Sequence, residues 1–162
     1  MPKFASAVAL PEQASPGNPP SGWCAVFARP NAVLWTRNSA GAEHLVEAGI
    51  LFPFSRAGTL TTGAGTFRIY NDTTATLDIK GVRASVGTAP TGAAIIVDIN
   101  VNGTTIFSTQ GNRPTIAISG NTSGKVTNMN TTTIADGAYF TVDIDQIGST
   151  VAGADLVVQI LC

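Results

Sequence analysis

Residues 93–109, AAIIVDINVNGTTIFST, decide the fold class. Ile95, Val97, Ile99 and Val101 recur at every second position, and Ile96, Asp98 and Asn100 stand between them. A period of two belongs to a β-strand with one face on a core. Asn102-Gly103 follows. A two-residue type I′ turn needs positive φ at both positions, and this dipeptide supplies it at low cost. TTIFST, residues 104–109, then returns as the partner strand.

The same signal spreads outward from this hairpin. In YFTVDIDQI, residues 139–147, Phe140, Val142 and Ile144 share one face, and Thr141, Asp143 and Asp145 the other. DLVVQIL, 155–161, closes the chain. GTFRIY, 65–70, alternates. TLDIKGVRASV, 76–86, is long, and Gly81 in its middle predicts a bulge or bend. TIAIS, 115–119, and KVTNM, 125–129, are shorter. No helical period of useful length occurs after residue 58. Eight or nine short strands, with turn signals every ~8–12 residues, predict an all-β, jelly-roll-like antiparallel β-sandwich over 58–162.

Upstream the pattern changes. PEQASPGNPPSG, 11–22, carries four prolines and two glycines, which no helix or central strand tolerates. The apolar run in MPKFASAVAL is only about seven residues, short for a signal-peptide core, and no clean cleavage site follows. Residues 1–20 read as an extended anchoring arm. Residues 21–57 read as a small β-hairpin module with a connector. Trp23, Ala25, Phe27 and Arg29 alternate on one side of its first strand, and Val33, Trp35 and Arg37 on one side of the next. Pro30-Asn31 and Gly41 supply the turns. In the connector EAGILFPFSRA, 47–57, Ile50, Leu51, Phe52 and Phe54 form an apolar knot broken by Pro53, with room for a turn or two of helix before Gly49.

A unit of two or three strands cannot bury enough surface to stand alone. Trp23, Phe27 and Trp35 would be left in water unless copies of the chain, three around an axis, covered them. Together with Leu34, Phe52 and Phe54 they form the expected trimer or anchor interface.

Charged residues make up 12% of the 162 residues and the net charge is −1, which argues against a nucleic-acid partner and a polybasic membrane patch. Mean hydropathy is +0.23, yet no apolar run reaches the ~18 residues of a membrane span. An apolar chain with so few charges needs cover, and other chains are the expected cover. Cys24 and Cys162 permit one disulfide without announcing it; the plainer reading is two free thiols, at least one of them buried. Four Asn-x-Ser/Thr sequons, at Asn71, Asn102, Asn121 and Asn130, arise by chance in a Thr-rich β sequence.

Little in the chain suggests catalysis. The single histidine, His44, sits in Ala-Glu-His-Leu near a hairpin end, and one histidine with two distant cysteines makes no zinc site. Asp98, Asp143 and Asp145, joined by Asp78 if the strands are neighbours, would form a carboxylate row on the outer face. Such a row suits Ca²⁺ or a glycosidase pair. It equally suits the polar face of any half-solvated sheet. Lys80, Arg83, Arg68, Arg113 and Lys125 read as partners for those carboxylates. No cofactor is expected.

Two stretches carry a family resemblance. PGNPPSGWCAVFARPNAVLWTRNSAGAEHLV, 16–46, resembles the Pro-x-x-Gly, strand, turn, strand, x-Asp/Ser-x-Gly-x-Glu module near the start of many tailed-bacteriophage fibre chains. The stretch from GVRASV to LVVQIL, 81–161, is similar to C-terminal β-sandwich domains of minor tail and fibre proteins, notably of actinobacterial phages. In Ala32-Val33-Leu34-Trp35 the second strand is more apolar than the usual module, so it packs either on trimer mates or on another virion protein. The resemblance implies a non-enzymatic virion protein, a homotrimer in the tail fibre or tail tip. It would be held to other virion proteins by its arm and would meet a host cell-surface glycan. A capsid decoration protein is the close alternative. A free carbohydrate-binding module is the third, disfavoured because only Tyr70 and Tyr139 are available on the sandwich as stacking platforms.

Overall fold

The structure is a computed structural model that describes residues 15–28, 34–45 and 49–162, with backbone alone at Ala28, His44 and Leu45. The chain divides into two compact units, Met1–Ala48 and Gly49–Cys162. Both are built from antiparallel strands.

The first unit is a three-stranded meander of β1 (Cys24–Ala28), β2 (Leu34–Asn38) and β3 (Glu43–Leu45), in that order. Asn38 makes the β2–β3 turn. Its Oδ1 accepts from the N–H groups of Ala40 (3.1 Å) and Ala42 (2.9 Å), while Gly41 takes a φ of +87°. An Asn side chain that imitates a backbone carbonyl is a standard turn device. The expected Pro30-Asn31 turn, the helix before Gly49 and most of the arm lie outside the described residues. Residues 15–20 have no regular structure.

The second unit is the sandwich. One sheet has the order β4 (Leu51–Thr59), β13 (Ala154–Leu161), β7 (Gly81–Thr88). The other runs β10 (Thr115–Ile116), β8 (Ile95–Val101), β12 (Tyr139–Gln146), β5 (Ile69–Tyr70), with β9 (Thr104–Thr105) also on β8. A two-stranded ribbon pairs β6 (Leu77–Asp78) with β11 (Thr133–Ile134). The 93–109 reading holds: Asn102 has φ +50° and Gly103 φ +80°, and β9 returns along β8. The register of β8 on β12 sets Phe140 opposite Val101, Val142 opposite Ile99 and Ile144 opposite Val97. That is one continuous apolar face, and it meets Val82, Ala84, Val86, Leu156, Val158 and Ile160 of the other sheet in a single core. Two inner faces packed on each other in this way make a sandwich.

Two expectations need correction. Residues 51–57 are not a connector, and the sandwich does not begin at residue 58. Leu51–Thr59 is a nine-residue edge strand on β13, and Phe52 is 5% exposed in the core with Phe54 packed against it. Phe52 therefore leaves the proposed interface. Pro53 misled the reading because a proline breaks a central strand, whereas at an edge its missing N–H faces outward. The long strand 76–86 also divides. Leu77–Asp78 pairs with β11, and from Gly81 onward the chain joins β13 instead. A Cβ at Gly81 would stand 3.2 Å from the Val126 carbonyl oxygen, a tight approach that favours glycine at the crossing.

Candidate functional site

The face of the larger sheet that points away from the core carries the polar residues singled out from sequence. Register places Asp143 directly opposite Asp98, and Thr141 opposite Asn100. Asp145 follows at a bulge between Ile144 and Gln146. The three carboxylates are thus neighbours, as expected. Asp78 is not among them: it pairs with Thr133 in the small ribbon.

The row is drier than a half-solvated sheet face. Asp98 is 7% exposed, and Asn100 and Thr141 are also buried. Each acid meets protein donors. Asp98 Oδ1 accepts from Thr105 Oγ1 (2.7 Å) and from the Ile99 N–H (2.8 Å). Asp143 accepts from the Gly65 N–H (2.7 Å) on one oxygen and from Asn100 Nδ2 (2.9 Å) on the other. Asp145 pairs with Arg113, whose Nε donates to the Gln110 carbonyl. Gly65 is required where it lies, because a Cβ there would sit 2.0 Å from the Val142 carbonyl oxygen.

Burial raises the Asp98 carboxyl from its ordinary value. The Thr105 and Ile99 hydrogen bonds pull it back, Asp145 pushes it up further and Arg113 lowers it. A calcium site would need several oxygens converging on one open point. Here protein donors take Asp98 Oδ1, both Asp143 oxygens and Asp145 Oδ2. Among the described residues no group of three or more His, Cys, Asp or Glu stands ready to hold a metal. The backbone of His44 lies in β3 opposite Thr36.

Sequence reasoning missed two features. Tyr70 and Tyr139 are register partners on β5 and β12, with ring centroids 5.4 Å apart. The guanidinium of Arg68 lies 4.6 Å from the Tyr139 ring centroid, a cation–π arrangement, in place of the expected carboxylate partner. Tyr70 is 45% exposed, so the cluster offers an aromatic surface beside the polar row. The second is Asn71, fully buried one residue past β5. Its Nδ2 donates to the carbonyls of Ala75 and Ile134, and its Oδ1 accepts from Thr73 Oγ1. A sequon asparagine in that position is a structural clasp.

The first unit holds the remaining interface candidates. Cross-strand register puts Phe27 opposite Trp35, and Ala25 opposite Arg37, which pairs with Glu43 at 2.8 Å. The other face carries Cys24, Val26, Leu34 and Thr36. Phe27 is 1% exposed within the single chain, so it does not need neighbouring copies to cover it. Leu34 lies on the face opposite Phe27 and Trp35, so the sequence-derived set is not one surface. Among the described residues of this unit, the exposed large apolar side chains are Trp23 (70%), Val26 (50%) and Leu34 (39%).

Searches against protein-family models, curated proteins and solved structures find no match to the chain.

Proposed function

We propose that the chain is a non-enzymatic structural virion protein of a tailed bacteriophage. It acts as a trimeric component of the tail fibre or tail tip and contributes to host attachment. The observation that carries this reading is the anatomy of the first unit. Its described residues form three short strands and leave Val26 and Leu34 exposed on one face with Trp23 beside β1. An exposed apolar strip on so small a sheet is best covered by equivalent strips from other copies. The motif pattern of 16–46 and 81–161 supports the assignment to phage fibres. The second unit is the display domain, and the Tyr70–Tyr139 pair is its contact for a host glycan.

Light scattering on the purified full-length chain tests the assembly. Three chains per particle are expected, and Val26→Asp with Leu34→Asp should reduce this to one while the sandwich keeps its melting temperature. A wild-type monomer at micromolar concentration contradicts the reading.

A further inference from the structure

The sandwich has an open side. There one sheet ends in β4, and the other ends in the segment 63–67, held to β12 by the Gly63–Ile144 backbone pair and the Gly65–Asp143 hydrogen bond. Between these borders lies a cleft of about 500 Å³. Phe54, Leu156 and Val158 line it from one sheet, Val142 and Ile144 from the other, and Phe67 stands at its rim, 81% exposed.

Among the described residues, no strand pairs with the outer border of β4. Ile50 and Cys162 exchange both backbone hydrogen bonds at 2.9 Å. Antiparallel pairing alternates, so Phe52, Phe54 and Arg56 direct their backbone groups at β13, and Leu51, Pro53 and Ser55 direct theirs outward. Pro53 has no N–H to offer, which leaves Leu51 and Ser55 as the edge donors with carbonyls at all three positions. An unpaired edge beside an apolar groove is what recognises an added strand. Main-chain bonds hold the strand and alternate side chains fill the groove.

We propose that this cleft receives residues Phe4–Leu10 of a neighbouring copy of the chain as an added strand. The inference rests on the self-association proposed above. Residues 1–14 lie outside the described structure, and the described chain begins at Ser15, whose Oγ meets Arg37 and Glu43 on the first unit. The segment FASAVAL alternates: Phe4, Ser6, Val8 and Leu10 fall on one side, and Ala5, Ala7 and Ala9 on the other. One side supplies bulk for the groove and the other is small. No charge lies between Lys3 and Glu12, so none would be buried. Pro2 and Pro11 bracket the segment at its ends, where an absent N–H costs no ladder bond. Passed head to tail around a three-fold axis, the arms would fill every cleft and close the ring.

Hydrogen exchange tests this at the two edge amides. In the full-length chain Leu51 and Ser55 should exchange at least tenfold more slowly than in a chain lacking residues 2–10. Protection should fall on dilution, and a synthetic peptide of residues 2–12 should restore it in the truncated chain. Ser55→Pro, which removes one edge donor, should weaken that peptide at least tenfold without unfolding the sandwich. Equal exchange in the two chains, or protection that survives dilution, overturns the proposal. A trimer with freely exchanging Leu51 and Ser55 overturns arm exchange and leaves the trimeric reading standing; a monomer overturns both.

Discussion

The ring of Phe52 stands edge-on to that of Phe140, with centroids 5.2 Å apart and planes at 62°. One ring comes from the edge strand β4 and the other from the central part of the opposite sheet, so the contact ties the two layers together. Phe52→Ala and Phe140→Ala should each cost about 3–5 kcal/mol of sandwich stability. The double variant should reveal a coupling of about 0.5–1.5 kcal/mol in chemical denaturation followed by far-ultraviolet circular dichroism. If Phe52→Ala left stability unchanged, residues 51–57 would be a connector after all.

The burial that raises Asp98 predicts a pH signature. A carboxyl raised in the folded state binds its proton more tightly there than in the unfolded chain. Its contribution is therefore most favourable at low pH and is lost as pH rises through the raised value. Asp98→Asn keeps an oxygen for Thr105 and Ile99 and removes a charge opposite Asp143. The variant should be more stable than wild type at neutral pH by about 0.5–1 kcal/mol. The advantage should shrink as pH falls through the raised value toward the ordinary Asp range. An advantage independent of pH would show that Asp98 does not titrate abnormally.

The two cysteines should differ sharply. Cys24 is exposed and Cys162 is buried, its thiol pushed up to about 11 chiefly by burial. Alkylation follows the thiolate and its access. At pH 8 the monomeric Val26→Asp, Leu34→Asp variant should take up one iodoacetamide, at Cys24, and the denatured chain two, as read by mass spectrometry. Rapid native labelling of Cys162 would place the C-terminal strand outside the core.

Asn71→Ala should be among the most damaging polar substitutions. It takes the Nδ2 donor from the Ile134 carbonyl and leaves the Ala75 carbonyl only the longer Thr73 Oγ1 bond (3.3 Å), and a buried polar group left without its partner costs about 1–3 kcal/mol. Thermal melting checks the loss, and a cost below a few tenths of a kcal/mol would mean the clasp does not hold the 71–75 turn.

How much of this was legible depended on whether the information was local. The 93–109 hairpin was readable because alternation and Asn102-Gly103 act within one short stretch. The face assignments of Asp98, Asp143 and Asp145 followed from the same alternation. The burial of Asp98 and the hydrogen bonds of Asp143 did not, because they depend on Thr105 and Gly65 arriving from other segments. The Tyr70–Tyr139 pair stayed hidden for a similar reason: register between strands about seventy residues apart leaves no mark on either one. Leu51–Thr59 was misread because Pro53 signals a break unless the strand is already known to be an edge. Asn71 looked like a chance sequon, and only its enclosure by Ala75 and Ile134 reveals its role.

The central claim is that this chain is a building block of a phage particle, and counting it there tests that most directly. Quantitative mass spectrometry of purified particles, scaled to the major capsid protein, should find a few trimers per particle if it belongs to the tail. Hundreds of copies would move it to the capsid surface as a decoration protein. Particles assembled in cells that express the chain, yet free of it after purification, would contradict the account.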